Sequence, residues 1–160
     1  MSQETPVAAG GPVSHAILRV ARLHRMLAGT LLRETGLYPG QELVMMHLWE
    51  SGPQRQADLI KLLDSDAATM TRTVQRLERA GFVRRRRCPN DRRASLIEPT
   101  PASRPLRDQV MRIWADLERR TVGGLDEPAR SATLAGLTAL EHNLAAEQRE
   151  QREHREPREA

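Results

Sequence analysis

The sequence has few of the residues that build several common kinds of protein site. Its one cysteine, Cys88, excludes an internal disulfide framework and any zinc cluster held by cysteines. Aromatic residues are only 2% of the 160 residues, so aliphatic side chains and methionine must build the core, which suits helices better than a β-sandwich. No apolar run reaches the roughly 20 residues of a membrane helix, and the N-terminus lacks the features of a signal peptide. We expect a cytoplasmic protein without membrane contact, either one domain or one small module with an oligomerisation arm.

Sequence motifs of catalysis and of metal binding are also missing. The chain has no GxSxG, P-loop, HExxH or dinucleotide-binding fingerprint, and no carboxylate pair that would converge on a substrate. Its five histidines show neither HxH nor HxxxH spacing. We therefore expect a protein that is not an enzyme and that uses no cofactor and no metal.

The positive charge is concentrated in the middle third of the chain. Residues 54–99 carry ten arginines and one lysine against six acidic residues, whereas residues 1–53 are balanced and residues 100–160 have one acid in excess. The formal net charge of +4 therefore arises from this middle segment. A local block of one sign predicts a surface that binds a polyanion.

Apolar spacing and turn residues predict four helices, two strands and two further helices. The predicted inward residues include Leu43, Val44, Met46, His47 and Leu48 in the second helix, and Ala57, Ile60 and Leu63 in the third. The predicted bounds are a helix from Val13 to Gly36, helices over 39–51, 56–63 and 67–80, strands over 82–88 and 94–98 around a turn at 89–91, a helix from Thr100, and a final helix capped by Asp126. The charged sequence after Ala146 fits either a helix extension or solvated disorder.

The helix over 67–80 has the pattern of a DNA-reading helix. Met70, Val74 and Leu77 share one face, and Asp66 can cap the N-terminus. The opposite face carries Ala68, Thr69, Arg72, Gln75, Arg76 and Arg79. Arginines one turn apart can bind guanine edges in the major groove, glutamine can read adenine or reach phosphate, and the threonines Thr69 and Thr71 suit phosphate or a thymine methyl group. The alternative is an ordinary solvated helix face.

The two strands that follow predict a basic hairpin. The first strand contains Arg84–Arg87, and the turn carries Asp91, Arg92 and Arg93. Such a wing can place Arg92 or Arg93 in a narrow minor groove, while Asp91 is expected to orient an arginine because a carboxylate at phosphate is repulsive. The alternative is a charged strand edge that resists aggregation. Together the short helices and the hairpin predict a mainly α fold with a small β-hairpin wing, a winged helix-turn-helix.

At this point the sequence resembles a MarR-family transcriptional regulator. The resemblance runs from about Pro39 to Glu98 and is most specific in DRRASL, where Asp91, Arg93, Ala94 and Leu96 match the family's wing motif. The stretch TMTRTVQRLERAGFVRR matches the family's recognition helix as well. Outside this block the match is one of organisation, a long first helix and two long C-terminal helices.

The resemblance implies a homodimer whose helical arms intertwine and whose recognition helices enter successive major grooves of a pseudo-palindromic operator. It implies DNA contacts from Ala68, Thr69, Thr71, Arg72, Gln75, Arg76, Asp91 and Arg93, to which the residue pattern adds Arg86 and Arg92. It also implies a cavity for a small aromatic or lipophilic ligand, for which His24, His47 and Trp49 are the candidate residues. The two histidines have the alternative of a satisfied, half-buried place in the fold.

These expectations divide the chain into a disordered tail, a DNA-binding lobe, a helical dimerisation region and a charged tail. The divisions are 1–12 for the N-terminal tail, 37–99 for the winged helix-turn-helix lobe, 13–36 with 100–150 for the dimerisation region, and 151–160 for the C-terminal tail. The family's usual Leu-Thr-x-x-Gly after the wing is replaced here by Pro99-Thr100-Pro101-Ala102-Ser103, which predicts a short second strand.

The predicted function is sequence-specific transcriptional regulation, with repression as the expected mode and a small molecule as modulator. One alternative is a redox-responsive regulator that uses Cys88, because neighbouring Arg86, Arg87 and Arg92 would lower its pKa. Another is a winged-helix module that binds protein or RNA. RNA binding predicts stacking aromatics, and positions 67–98 offer only Phe82, which is expected in the core.

Overall fold

The computed structural model describes residues 10–155, apart from the side chains of Arg92, Arg152, Glu153 and Arg155. Short 3-10 turns at Arg33–Thr35 and Pro101–Ser103 precede α2 and α5. The elements are α1 (Pro12–Leu32), α2 (Gln41–Ser51), β1 (Gln54–Arg55), α3 (Gln56–Leu62), α4 (Ala67–Arg79), β2 (Val83–Cys88), β3 (Asp91–Pro99), α5 (Arg104–Thr121) and α6 (Glu127–Arg155). The chain divides into two compact units, one up to Glu118 and one from Arg119 onward.

The core of the first unit lies where α2, α3 and α4 meet the sheet and the start of α5. Met70, Val74 and Leu77 of α4 are buried, as the sequence predicts. They belong to a cluster whose other buried members are Leu37, Val44, Met45, Leu48, Leu59, Val83, Ile97, Leu106 and Val110. Each fully buried aliphatic side chain contributes about 1.5–3 kcal/mol, so this cluster fixes α4 against the rest of the unit.

The buried faces of α2 and α3 agree with the predicted ones only in part: Val44 and Leu48 are buried, and Ile60 and Leu63 pack against the core. In α2, Leu43 is exposed, contrary to the prediction, and Met45, which the prediction did not include, is fully buried. Since apolar residues occupy almost every position from 43 to 49, periodicity does not settle which face turns inward. In α3, Leu59 is the fully buried residue and Ala57 is exposed, because this helix of seven residues is too short for its stripe to be read.

The sheet has three antiparallel strands in the order β1-β3-β2. The short strand β1, absent from the prediction, pairs Gln54 with Ile97. The strand β3 spans nine residues, so the prediction of a short second strand is wrong. Because β3 is central and pairs with a neighbour on both edges, backbone hydrogen bonds hold it along its length, up to the pair formed by Val83 and Pro99.

The helix ends follow from local side-chain chemistry. Gly36 has a φ of 74°, which glycine adopts without strain, and it ends the turn after α1 as predicted. Helix α2 begins at Gln41 rather than at Pro39, and the buried carboxylate of Glu42 accepts the Gly40 N–H at 2.7 Å. Burial raises the pKa of Glu42.

The second unit contains the end of α5 and the long helix α6. Asp126 caps α6 by accepting the Ala129 N–H at 2.9 Å, as predicted. The helix continues to Arg155, so the helix-extension alternative holds through that residue and the rest of the predicted charged tail lies outside the described residues. At the other end of the chain, residues 1–9 of the predicted tail are likewise outside them, and Pro12 is already helical. The assignment of 13–36 and 100–150 to dimerisation stays a prediction.

Candidate nucleic-acid interface

Helix α4 presents its polar face to solvent. Met70, Val74 and Leu77 hold the opposite face in the core, which turns the predicted reading residues outward. The exposed residues are Ala68, Thr69, Arg72, Gln75, Arg76 and Arg79. The helix therefore displays three guanidinium groups and one side-chain amide on one surface, which is the chemistry that base edges and phosphates require.

The N-terminus of α4 is held by a local network around Thr69. Asp66 accepts the Thr69 N–H and the Thr69 hydroxyl, each at 2.7 Å. These two hydrogen bonds, the hydroxyl one first, lower the pKa of Asp66. Arg72 donates to the Thr69 oxygen at 3.1 Å. The network fixes the first turn of α4 and directs Arg72 along its exposed surface.

Thr71 has a different position from the other predicted contact residues. It is half-buried, donates to the Ala67 carbonyl at 2.8 Å and accepts from Gln56 Nε2 at 2.8 Å. Because Gln56 begins α3, this pair joins the two helices of the helix-turn-helix. The direct DNA contact predicted for Thr71 stays a prediction.

Arg76 lies over an aromatic ring that the sequence argument missed. Its guanidinium carbon is 5.5 Å from the centre of the Tyr38 ring, a cation–π distance. Tyr38 is largely exposed, so it extends the basic surface of α4 towards the start of α2. Both residues line a cavity of about 420 Å³, together with Gly36, Leu37, Gln41, Leu77, Arg79 and Ala80.

The run of arginines on β2 is divided between the two faces of the sheet. Arg84 and Arg86 both bind Glu98 of β3, through Nε–Oε distances of 2.6 and 3.2 Å. Arg85 lies on the other face, where it donates to Gln56 Oε1 at 3.4 Å and is 3.5 Å from Glu78 Oε2. Arg86, predicted to contact DNA, is thus engaged with Glu98.

The wing tip is shaped by Asp91. Its carboxylate accepts the backbone N–H of Arg93 at 2.9 Å, so it orients the chain at Arg93, whereas the sequence argument expected it to hold a guanidinium. Arg93 is exposed at the tip. Arg92, the other predicted minor-groove residue, has a side chain outside the described part of the structure. The register shifts between Arg87 and Cys88, which allows the tip to close.

Cys88 is buried at the end of β2. The backbone N–H of Asn90, with Arg55 as a further contributor, lowers the pKa of the Cys88 thiol. Arg55 Nη2 lies 3.8 Å from the sulfur. The predicted lowering of the Cys88 pKa is therefore present. Its causes are the Asn90 amide and Arg55, whereas the prediction attributed it to Arg86, Arg87 and Arg92.

The three candidate ligand residues do not form one cavity with Arg76. His24, His47 and Trp49 are half-buried, and none of them lines the cavity beside Tyr38. Trp49 donates its indole N–H to Ser103 Oγ at 3.0 Å, which ties α2 to the turn before α5. Their assignment to a ligand site stays a prediction.

Metal-binding clusters and membrane-spanning helices are both absent from residues 10–155, the side chains of Arg92, Arg152, Glu153 and Arg155 not being described. In that part of the chain, no group of three or more histidine, cysteine or acidic side chains is placed to hold a metal ion. None of the helices described there combines the length and the hydropathy needed to cross a membrane.

Comparison with known proteins supports the resemblance to the MarR family. The family model of MarR matches residues 37–95, which contain α2, α3, α4 and most of the hairpin. A Bacillus subtilis (strain 168) protein, the uncharacterized HTH-type transcriptional regulator YwoH, is 39% identical over 83 residues, which are 52% of this chain and 60% of YwoH. Over these residues the chain is therefore similar to MarR-family regulators, and it spans less than two thirds of the length of YwoH.

Solved structures extend the similarity beyond the matched lobe. A probable transcriptional regulator from Pseudomonas aeruginosa is 27% identical with a TM-score of 0.74, over 82% of this chain and 97% of that one. BpsR of Bordetella bronchiseptica, described for the regulation of its DNA binding by 6-hydroxynicotinic acid, is 25% identical with a TM-score of 0.75, over 81% and 92%. The MarR-type winged helix predicted from DRRASL and the α4 pattern is thus confirmed.

Within and next to the residues that the MarR family model matches, sequence reasoning missed Tyr38, Gln56 and Glu98. Glu98 stands opposite Arg84 in the β2–β3 register, and the predicted strands 82–88 and 94–98 already contained both residues, so the register of the predicted hairpin was a signal for this pair. Gln56 and Tyr38 are distant in sequence from the residues they contact. No local pattern indicates those contacts.

Proposed function

We propose that this protein is a sequence-specific DNA-binding transcriptional regulator that acts as a homodimer, represses transcription and responds to a small molecule. The observation that carries the proposal is the exposed face of α4, where Arg72, Gln75 and Arg76 stand outward from a helix fixed by three buried residues. The exposed Arg93 of the wing supplies the second contact. BpsR, similar over 81% of this chain, is a relative whose DNA binding is regulated.

The test is binding of the purified protein to DNA from its own promoter region. Fluorescence anisotropy with this duplex and with a scrambled one, across several salt concentrations, separates specific from non-specific binding. We expect tighter binding to the promoter duplex and a logarithmic salt dependence that reflects several phosphate contacts. Equal affinity for both duplexes, or no binding at low salt, contradicts the proposal.

Exposed apolar faces support the homodimer. The exposed apolar residues of α1 include Val13, Ile17, Leu18 and Val20. Those of α6 include Leu134, Leu137 and Leu144. Amphipathic helices with such faces are stabilised when a partner covers them. We propose that a second copy of this chain does so, and that the two α4 helices then face a two-fold related DNA site.

A small-molecule effector is supported by the relative BpsR, whose DNA binding 6-hydroxynicotinic acid regulates. Candidate positions are the predicted residues His24, His47 and Trp49 and the cavity beside Tyr38 and Arg76. A thermal-shift screen of small aromatic acids, followed by DNA-release assays, tests this. A true effector raises the melting temperature with concentration and changes DNA affinity.

Cys88 supports one alternative, a redox-responsive regulator. Its lowered pKa favours the thiolate, the form that reacts with peroxide, although the side chain is buried. Peroxide should then weaken DNA binding of the wild type but not of Cys88→Ser. Equal responses of the two proteins would contradict the redox alternative and leave the DNA-binding proposal intact.

A further inference from the structure

The four consecutive arginines of β2 do not act as four free charges. In an antiparallel pair, residues opposite each other share a face of the sheet. Arg85 stands opposite the fully buried Ile97, whereas Arg84 stands opposite Glu98. Arg84, Arg86 and Glu98 therefore lie together on the face that points away from Ile97.

Glu98 is held tightly between the two arginines. Each of its carboxylate oxygens faces the Nε of a different arginine, at 2.6 Å for Arg84 and 3.2 Å for Arg86. The Glu98 side chain is 11% exposed, while those of Arg84 and Arg86 are 63% and 53% exposed. The carboxylate lies beneath guanidinium groups whose outer edges still face solvent.

This arrangement reduces what the face can offer to a polyanion. The cluster carries one net positive charge where two unpaired arginines would carry two. A burial this deep is costly for an unpaired carboxylate, so Glu98 keeps its hold on both arginines. A phosphate that approaches either guanidinium also meets the field of the carboxylate behind it, which repels it.

We propose that Glu98 is a specificity-determining residue, which lowers the affinity of the wing for DNA of any sequence by holding Arg84 and Arg86. The inference rests on the proposed function. Contacts to phosphate carry no sequence information. When the phosphate contacts of Arg84 and Arg86 are weakened, α4 and the wing tip make the contacts that distinguish one DNA sequence from another. The ratio of specific to non-specific affinity rises when the affinity for non-specific DNA falls.

The first test replaces the carboxylate with its neutral isostere. Glu98→Gln is compared with Glu50→Gln, which removes the same charge from an exposed position on α2. Binding to a scrambled and to a promoter duplex is measured by anisotropy over a range of salt. We expect Glu98→Gln to bind the scrambled duplex about three- to tenfold more tightly, with a salt slope steeper by about one to two units, since each phosphate contact adds about 0.9. Glu50→Gln should change neither by that amount.

A second test compares neighbouring arginines in the otherwise wild-type protein. Arg86 is bound to Glu98, whereas Arg87 stands opposite Ser95 and has no ion pair within the described residues. Arg86→Gln should therefore reduce non-specific binding less than Arg87→Gln does. In the Glu98→Gln background, Arg86→Gln should cost more than it does in the wild type. The wild-type comparison needs no Glu98 variant, so it decides the matter even where Glu98→Gln fails to fold.

The outcomes separate this inference from the proposed function. Absence of promoter binding by the wild type at low salt overturns the proposed function. If the wild type binds the promoter specifically but folded Glu98→Gln binds scrambled DNA no more tightly than the wild type does, only the proposed role of Glu98 is overturned. If Arg86→Gln and Arg87→Gln reduce non-specific DNA affinity equally, the role of Glu98 is also overturned, because Arg86 is then free to contact phosphate.

Discussion

At the residue scale, the two predicted guanine-reading arginines have different surroundings. Arg72 is directed along the helix by Thr69, which Asp66 holds in turn. Arg76 lies over the Tyr38 ring. A side chain that is oriented before binding loses less conformational freedom on binding, so both contacts support the proposed DNA recognition through preorganisation.

The first prediction concerns Arg72. Arg72→Ala should weaken binding to the promoter duplex by about 1–3 kcal/mol, because a bidentate contact with a base edge is lost. Binding to scrambled DNA should change less. Anisotropy with both duplexes measures this, with Arg107→Ala, an exposed arginine of α5, as the control. A uniform loss on both duplexes would show that Arg72 contacts phosphate.

At the element scale, the structure distinguishes helices by how clearly their sequences define a buried face. In α4, three apolar residues stand among polar ones, so the pattern determines both the helix and its orientation. In α2 the apolar residues surround the helix, and in α3 they fill fewer than two turns. There the choice between Met45 and Leu43, or Leu59 and Ala57, depends on packing.

The second prediction tests the buried face of α3. Leu59→Ala should lower the free energy of unfolding by about 2–5 kcal/mol, because Leu59 is fully buried and its loss leaves a cavity. Leu62→Ala in the same helix should cost much less, since Leu62 is 54% exposed. Urea unfolding, monitored by circular dichroism, gives the free energy of unfolding of both variants. Equal losses would contradict the observed face of α3.

The third prediction concerns the cap of α4. The hydrogen bonds from Thr69 lower the folded-state pKa of Asp66, so the carboxylate stabilises the fold above its ordinary pKa and this contribution is lost as the pH falls through the lowered value. Asp66→Asn retains a capping oxygen but does not titrate. Its melting temperature should therefore fall less steeply than that of the wild type below about pH 4. Parallel curves would exclude a role for the Asp66 charge.

At the scale of the whole molecule, the exposed apolar faces of α1 and α6 set the expected assembly. Leu134 of α6 is 68% exposed, and Leu137 and Leu144 of the same helix are exposed to a similar extent. Stable homodimer interfaces bury such residues, which a single chain leaves in water. The α1 and α6 faces are therefore the surfaces at which a second copy is expected.

The fourth prediction is that the protein sediments as a dimer. Leu134→Asp should shift it towards the monomer and weaken promoter binding, because a dimer binds both half-sites of an operator at once. Glu147→Ala, an exposed polar change on the same helix, should leave both properties unchanged. Sedimentation velocity gives the mass, and anisotropy gives the affinity. A monomeric wild type would contradict the arrangement proposed here.

The sequence by itself determined the order of the helices and of the two hairpin strands, the outward face of α4 and the basic wing, because these follow from local periodicity, turn residues and charge. DRRASL was specific enough to indicate the resemblance to the MarR family. The tertiary structure alone decided that Glu98 holds Arg84 and Arg86, that Gln56 joins α3 to α4, and that Tyr38 lies against Arg76. Each of these contacts depends on which strands pair or which helices pack. The register of a hairpin can indicate that Arg84 and Glu98 stand opposite each other, but the helix contacts are set by the burial of residues far apart in the chain, so no local pattern encodes them.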